Sequence, residues 1–332
     1  MTSKGSTFNL TPLIRCLKVI MNVIEQGGRF RIGGELEVHR LAYGALHLLD
    51  VGPDAFGPPA PNVDPSAILR RVVELGIDLI DTADVYGPGT NELQISKALH
   101  PYPDRVTIST KGCLTRSRPG ELTPHYDRGH IRSAVEGSLR RLKLEQIAVW
   151  TLHHVDPTTP IEDVVGTLAD LRHEGKLRHI GLSKASTDQL ARARAIAPIS
   201  MVQNRYNVAD RRDDAVLNYC EQHGIGFMAF FPLASGRFDR LRACVGDVAA
   251  QRGVSIQQIA LAWLLQRSPV LIPIPGTRHF AELEDNVAAC AIQLGVDEVA
   301  QINARYGDLP PIAADPSPIK PAEPPPTGAS AR

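Results

Sequence analysis

Short apolar runs alternate with amphipathic segments along most of this 332-residue chain. The runs have the length of strands, and the segments between them repeat apolar residues at helical spacing. The predicted strands end near Gly44, Asp81, Lys111, Leu152, Ser183, Asn204, Phe230 and Pro273. The predicted helices are Ala67–Leu75, Asn91–Leu99, His130–Leu142, Ile161–His173, Thr187–Ala197, Asp213–His223, Ile256–Gln266 and Phe280–Ala289.

Eight strand–helix units over roughly 250 residues predict an α/β fold, the parallel (β/α)8 TIM barrel. Ahead of the first unit, the alternating stretch from Phe30 to Val38 surrounds Gly33-Gly34 and predicts a β-hairpin that closes the bottom of the barrel. A doubly wound sheet is the alternative. We disfavour it because no G-x-G-x-x-G pattern follows the first strand.

Composition indicates one domain with a short segment at each end. No stretch suited to a linker occurs before Pro310, so we expect a single barrel over residues 30–313. Residues 1–29 are expected to be a poorly ordered extension or a misassigned start, with Met21 as the alternative initiator. Residues 314–332 are rich in Pro and Ala without an apolar period, which predicts a disordered tail.

Charge and cysteine content limit the class of protein. The chain has 36 basic and 36 acidic residues, and this balance argues against a broad nucleic-acid surface. Its five cysteines form no C-x-x-C or Cys/His cluster, which favours reduced thiols in the cytoplasm and no metal site. The apolar stretch Leu10–Ile24 contains Arg15 and Lys18 and is too short to span a bilayer. We expect a cytoplasmic monomer that binds a small molecule.

Four polar side chains follow predicted strand ends, where a parallel barrel would bring them to one face. Asp81 and Tyr86 lie five residues apart, and Lys111 and His153 end two later strands. A phenol has a pKa of about 10, which a nearby ammonium can lower by roughly 1–3 units. Asp81 would keep Lys111 charged, and His153 could orient a carbonyl oxygen. Together they predict a proton donor for carbonyl reduction.

Each of these residues alone has an ordinary structural interpretation. A single loop tyrosine such as Tyr86 is usually structural, and Lys111 could be a solvated charge at a strand end. His153 could be a hydrogen-bonded core histidine, and Asp81 could cap a turn or a helix. Their shared location at strand ends favours the functional interpretation.

Later strand ends carry groups suited to a planar ligand. Ser183 supplies a hydroxyl, and Gln203 and Asn204 supply amides that could bind a ligand carboxamide. Phe230, followed by Leu233, supplies an aromatic face for stacking. Turn hydrogen bonding, a satisfied core amide and ordinary packing are the respective alternatives.

The last unit carries groups suited to an anion. Gly276 opens a helix, and Arg278 adds a planar cation that matches phosphate. Asp285 and Asn286, with Glu282, could accept hydrogen bonds from an adenine or a ribose. A surface loop followed by a helix with acidic residues near its start is the alternative.

These segments together resemble the aldo-keto reductase superfamily from Phe30 to about Ala313. The matching motifs are Gly76–Gly87, Ser109–Gly112, Leu152–Pro157, Glu174–Ser183 and Ile274–Arg278. The resemblance implies a catalytic tetrad of Asp81, Tyr86, Lys111 and His153 and a bound NADP(H). It also implies that the nicotinamide stacks on Phe230 beside Leu233, that its carboxamide meets Ser183 and Gln203, and that the adenosine end lies near Gly276, Arg278, Asp285 and Asn286.

Within the superfamily the chain is most similar to the bacterial pyridoxal reductases. The matching stretches are Gly57–Pro59, His100–Pro103, Gln203–Asn207 and Phe231–Leu233. This similarity implies NADPH-dependent reduction of an aldehyde, with pyridoxal as the leading substrate. Reduction of sugar or xenobiotic carbonyls is one alternative, and a nucleotide-sensing regulatory subunit with little turnover is the other. Two loops, 113–128 and 234–253, are expected to select the substrate.

The chain departs from the family pattern at two places. Lys184 stands where members usually have Asn, directly after Ser183. Ala148-Val149-Trp150 replaces the usual Asp-Leu-Tyr before His153. Neither change removes the tetrad. Lys184 is expected to alter carboxamide binding, or to contact an anionic substrate or a cofactor phosphate.

Overall fold

The computed structural model describes residues 23–49, 64–116, 121–156, 158–236, 238–310 and 312. The alternative start at Met21 and the expected tail at 314–332 lie outside the described residues.

Eight parallel strands of the described chain form one sheet. They are β3 (Tyr43–Gly44), β4 (Leu79–Asp81), β5 (Thr107–Gly112), β8 (Ile147–Leu152), β9 (Leu177–Ser183), β10 (Ile199–Arg205), β11 (Gly226–Phe230) and β12 (Leu271–Pro273). The first and last strands meet, because the Ala42 amide donates to the Pro273 carbonyl at 3.1 Å and the Gly44 amide donates to the Pro275 carbonyl at 3.2 Å. The sheet therefore closes, and the predicted TIM barrel is confirmed.

Ten helices whose full length is described surround the barrel. They are α1 (Pro65–Glu74), α2 (Thr90–Leu99), α3 (Arg128–Leu142), α4 (Ile161–His173), α5 (Thr187–Ile196), α6 (Asp214–His223), α7 (Phe238–Arg252), α8 (Ile256–Arg267), α9 (Phe280–Ala288) and α10 (Val296–Gly307). The eight predicted helices are all present. The main apolar core lies between the strands and this helical layer.

Two helices, α7 and α10, were not predicted. The expectation of a loop over 234–253 is wrong, because α7 occupies most of that segment. Its buried Leu241, Cys244, Val245 and Val248 have the helical spacing that should have revealed it. By contrast, α10 buries Ile302 alone and has little apolar signal. The two helices pack together and are joined by an ion pair between Arg305 and Asp247 at 2.6 Å.

An antiparallel hairpin closes the amino end of the barrel, as predicted. Its strands are β1 (Arg29–Ile32) and β2 (Leu36–His39). Ile32 and Val38 are fully buried in a cluster with Met201 and Met228 inside the barrel. At the turn, Gly33 has φ +61°, and a Cβ there would lie 2.6 Å from Nδ1 of His179. Only glycine satisfies both the backbone and this contact.

The folded part extends before the hairpin. Ile24 is 1% exposed and packs in the cluster that contains Leu75 and Ile77. The residues just ahead of Phe30 are therefore part of the packed body. In the described ranges, no helix is long and apolar enough to cross a membrane.

Candidate active site

A buried ion pair lies at the carboxyl end of the barrel. Lys111 on β5 is 1% exposed, and its Nζ donates to Asp81 Oδ2 on β4 at 2.6 Å. The same ammonium donates to the carbonyl of Thr82 at 2.6 Å. Asp81 also accepts from Ser109 Oγ at 3.1 Å. A buried pair of this kind costs desolvation energy that its own attraction barely offsets, so its presence points to a functional requirement.

Tyr86 lies beside this pair. Its ring centroid is 5.3 Å from Lys111 Nζ. Burial raises the pKa of Tyr86 above its ordinary value of 10.0, and the positive charge of Lys111 opposes that rise. The expected influence of Lys111 is therefore present, but the expected net lowering is wrong. The phenol therefore stays protonated at neutral pH.

His153 completes the group. Its ring centroid lies 5.8 Å from that of Tyr86, with the planes at 78°. Burial, together with the charges of Lys111 and Lys184, holds the pKa of His153 well below 6.5. Its buried Nδ1 has no hydrogen-bond partner among the described residues. A neutral imidazole can donate a hydrogen bond from one ring nitrogen without adding charge.

The four predicted residues thus lie together at the carboxyl face. Two of them, Asp81 and Lys111, lie on strands, whereas Tyr86 and His153 lie in the loops that follow β4 and β8. Such an arrangement offers a protonated phenol, a cation to stabilise its conjugate base and a neutral hydrogen-bond donor. These groups suit proton transfer to a carbonyl oxygen.

Gln203 and Ser183 lie next to one another on this face. They are register partners on β10 and β9, and both are buried. Gln203 Nε2 donates to Asp81 Oδ1 at 3.0 Å, so the amide is tied to the ion pair. Its carbonyl oxygen is then the atom that could accept from a ligand amide.

Asn204 does not serve as predicted. Its Oδ1 accepts from the Ala185 amide at 3.2 Å and its Nδ2 donates to the Ala185 carbonyl at 3.0 Å. This two-way bond fixes the loop after β9. The expectation that Asn204 binds a ligand carboxamide is wrong, because both ends of its amide are used by the backbone.

Phe230 ends β11, and the backbone is unusual directly after it. Its half-buried ring lies 5.2 Å from that of Phe231. Phe231, Ala234 and Ser235 all have positive φ, between 51° and 59°. Leu233, within this segment, packs against the main core. The segment holds an aromatic face at the mouth, next to the strand that carries Gln203.

Gly276 stands at the closure of the barrel. It is exposed, and a Cβ there would collide with the carbonyl oxygen of Gly44. Tyr43 supports the same turn by donating from its hydroxyl to the Thr277 carbonyl at 2.7 Å. Arg278 is half-buried just beyond. The turn therefore presents backbone and a guanidinium close to the start of α9.

Asp285 and Asn286 lie on α9. Asp285 Oδ2 accepts from Ser255 Oγ at 2.7 Å, and Ser255 is the N-cap of α8. One carboxylate oxygen of Asp285 thus takes part in helix capping. Asn286 is 5% exposed. Glu282 accepts a hydrogen bond from Thr277 Oγ1, which ties the first turn of α9 to the Gly276 turn.

Sequence reasoning missed a second buried charge cluster behind the site. Glu92 is fully buried, and it accepts from Arg141 Nε at 2.6 Å and from Thr110 Oγ1 at 2.6 Å. Thr110 adjoins Lys111, so the cluster supports β5 from its outer face. In the sequence, Glu92 is an acidic residue in the first turn of α2, and that position alone does not predict a buried ion pair. Within the described residues, no group of three metal-ligating side chains occurs.

Comparisons with known proteins identify the family of this chain. The model of the aldo/keto reductase family matches residues 41–306. Pyridoxine 4-dehydrogenase of Escherichia coli is 39% identical over 277 residues, which cover 81% of this chain and 96% of that protein. A protein named as an uncharacterized oxidoreductase of Schizosaccharomyces pombe is 39% identical over 278 residues, which cover 84% of this chain and 90% of the relative.

Solved structures give the same result. An aldo-keto reductase from Klebsiella pneumoniae in complex with NADPH superposes with a TM-score of 0.71 at 27% identity, covering 84% of this chain and 94% of that one. The match of the family model over most of the chain, together with relatives at 39% identity, shows that this chain belongs to the aldo/keto reductase family.

Proposed function

We propose that this protein is an NADPH-dependent reductase that converts an aldehyde to an alcohol, with pyridoxal as the leading substrate. The observation that carries the proposal is the buried Lys111 ammonium, which lies between Asp81 and Tyr86 at the barrel mouth, with His153 beside the phenol. The cost of burying this pair argues against a nucleotide-binding protein without turnover.

The residues at the mouth fit a nicotinamide dinucleotide. Gln203 and Ser183 are adjacent and buried, and Phe230 presents a half-buried ring on the neighbouring strand. The exposed glycine turn at Gly276 allows close approach of a phosphate, and Arg278 supplies the matching cation. A relative solved with NADPH supports this cofactor. When bound, the nicotinamide supplies the hydride.

The protein itself supplies the proton and the orientation. Tyr86 gives its proton to the carbonyl oxygen as charge develops there. Lys111 stabilises the resulting phenolate, and Asp81 keeps the ammonium in place. His153, neutral at pH 7, orients the carbonyl by a hydrogen bond. The water-poor site strengthens each of these interactions.

The pKa direction at Tyr86 makes a pH prediction. Because burial raises that pKa above 10.0, the phenol keeps its proton throughout the neutral range. The reductive kcat should therefore stay level from about pH 7 to 9, and this is measured under saturating NADPH and substrate. A decline with an apparent pKa near 7 would contradict Tyr86 as the donor.

Pyridoxal is supported by the 39% identity to the Escherichia coli pyridoxine 4-dehydrogenase. The test is loss of NADPH absorbance with pyridoxal, with pyridoxine identified as the product by chromatography. A panel of sugar and xenobiotic carbonyls run in parallel tests the alternative substrates. Tight NADPH binding without turnover on any of them would favour the regulatory alternative. The monomeric state and the cytoplasmic location stay predictions.

A further inference from the structure

Tyr86 lies in a tight loop between β4 and α2, and the start of this loop is bonded to β5. The Asp84 amide donates to the carbonyl of Lys111 at 2.9 Å. Gly89, the last residue before α2, closes the loop, because its amide donates to the Asp84 carbonyl at 2.6 Å. The start of the loop is therefore fixed to the backbone of the residue whose ammonium lies beside the phenol.

The middle of the loop packs on a short hairpin that follows β5. Its strands are β6 (Leu114–Thr115) and β7 (Thr123–Pro124). Leu114 and Val85 are both buried and belong to one apolar cluster that Tyr86 contacts. Apolar attraction is not directional, so these contacts alone do not orient the phenol. The orientation of the loop depends on the bonds at its two ends.

The end of the loop leads into α2, and a charged network bonds the first turn of this helix to β5. Glu92, on that turn, is fully buried. It accepts a hydrogen bond from Thr110 Oγ1 at 2.6 Å and another from Arg141 Nε at 2.6 Å. Thr110 directly precedes Lys111 on β5. Successive residues of one strand therefore hold the helix that follows the loop and the ammonium that lies beside Tyr86.

Arg141 reaches Glu92 from α3 across the end of the loop. A Cβ on Gly89 would lie 2.8 Å from Arg141 Cδ, and a Cβ on Gly137 would lie 2.8 Å from its Nη1. The Arg141 side chain thus lies directly against the last residue of the loop and against its own helix. A buried ion pair costs desolvation energy that its attraction barely offsets, so stability alone does not explain this pair.

We propose that Arg141 and Glu92 are positioning residues for Tyr86. Their bonds to one another and to Thr110 hold the end of the Tyr86 loop against β5, which keeps the phenol beside Lys111. They act through Tyr86 and not by contact with the substrate. The proposal rests on the reductase function, because it gives the pair a part in proton transfer from the phenol.

The first test removes the charge in Arg141→Gln, with the carbonyl that the wild type reduces fastest. A small misplacement of a reacting group lowers rate more than binding, so kcat should fall by about 10- to 100-fold while KM and the Kd for NADPH stay within about twofold. Arg141→Lys offers an ammonium in place of Nε and should restore most of the lost kcat. Initial rates and fluorescence titration give these values. An unchanged kcat in Arg141→Gln, or an equal loss in Arg141→Lys, would overturn the proposal.

Arg132→Gln is the matched control. Arg132 lies on the same helix, its side chain is 33% exposed against 28% for Arg141, and its Nη1 donates to Glu174 at the end of α4 at 2.7 Å. Its replacement removes a comparable ion pair from α3 and leaves the Tyr86 loop bonded, so kcat should equal that of the wild type. A fall as large as that of Arg141→Gln would assign the effect to α3 as a whole and overturn the proposal.

Thr110→Val tests the other bond of the network and keeps the proposal testable if Arg141→Gln does not fold. The change removes the hydroxyl that donates to Glu92 and keeps a β-branched residue on β5. It should lower kcat with KM unchanged. In the double variant with Arg141→Gln the losses should not add, because both changes act through Glu92. Additive losses would contradict a single shared link.

Amide hydrogen exchange separates failure of this proposal from failure of the reductase function. The Asp84 and Gly89 amides join the loop to β5 and close it. Both should exchange faster in Arg141→Gln than in the wild type, and at the wild-type rate in Arg132→Gln. If the wild type reduces no carbonyl, the reductase function fails, and this measurement still decides whether the pair holds the loop. Unchanged exchange in Arg141→Gln would overturn the proposal.

Discussion

The two ends of the barrel differ in which residues take the left-handed backbone conformation. At the amino end the turns use glycine, as at Gly33, Gly175 and Gly224. At the carboxyl end the left-handed residues that carry side chains are Cys113, Lys184, Phe231, Ala234 and Ser235. In the described chain, the remaining non-glycine residue of this kind is Lys143, on the outer layer.

This difference indicates that the backbone of the amino end is suited to folding and that of the carboxyl end to function. Glycine adopts positive φ without steric penalty, whereas a side chain there costs about 1–3 kcal/mol. The amino end therefore has turns that favour folding, and the mouth holds strained residues next to the proposed site. The buried pair of Lys111 and Asp81 follows the same rule, because it lies where catalysis is proposed and contributes little to stability.

The largest expected effect is at the mouth, in Tyr86→Phe. The change removes one oxygen and keeps the ring, so the proton donor is lost while the ion pair stays. Turnover should fall by roughly 10²–10⁴-fold, with little change in NADPH affinity. Initial rates with pyridoxal and fluorescence titration of NADPH give the two values.

Lys111→Met should also lower turnover, and in the double variant the two losses should not add, because the residues act as a unit. Near-normal pyridoxal reduction by Tyr86→Phe would refute the mechanism. Additive losses would show that Lys111 acts separately from the phenol.

A smaller effect is expected at the barrel closure, in Arg278→Ala. A charge-assisted hydrogen bond to phosphate is worth about 1.5–3 kcal/mol. The variant should bind NADPH about ten- to a hundredfold more weakly and bind NADH nearly as before. Equal losses for both cofactors, measured by fluorescence titration, would show that Arg278 supports the loop and not the 2′-phosphate.

The smallest effects are expected from substitutions of left-handed residues at the two ends of the barrel. Gly175 has φ 77° with open space around the position of a Cβ, so Gly175→Ala should lose about 1 kcal/mol of stability with kcat unchanged. At the mouth, Ala234 has φ 59°, and Ala234→Gly should gain up to about 1 kcal/mol but loosen the segment beside Phe230. Thermal unfolding gives the first quantity, and NADPH titration should show a weaker complex for Ala234→Gly alone. Weaker NADPH binding in both variants would show that the two ends of the barrel do not differ in their effect on cofactor binding.

Much of the barrel was predictable because its elements carry local signals. The eight parallel strands end within one residue of their predicted positions, since buried strands produce apolar runs that stop at the mouth. Helix α10 was missed because it buries Ile302 alone, which leaves almost no pattern to detect. Helix α7, by contrast, carries buried apolar residues at helical spacing, so its pattern was detectable in the sequence.

Some features of the candidate site were also predictable from the sequence, and others were not. Asp81, Tyr86, Lys111 and His153 could be placed on one face, because each ends or follows a strand of the predicted parallel barrel. The bond from Gln203 to Asp81 and the bonds between Asn204 and Ala185 could not, because Asp81 lies on β4 and Ala185 lies in the loop after β9. Nor could the net direction of the Tyr86 pKa, which depends on how far burial outweighs the charge of Lys111.

By itself, the sequence determined the order of strands and helices and which polar residues follow each strand, because side-chain period and strand direction are local properties of the chain. Only the tertiary structure decided which of those residues are buried and which amides are already engaged in hydrogen bonds. Burial and electrostatic interaction depend on distances between residues far apart in the chain, and these distances exist only once the barrel has closed.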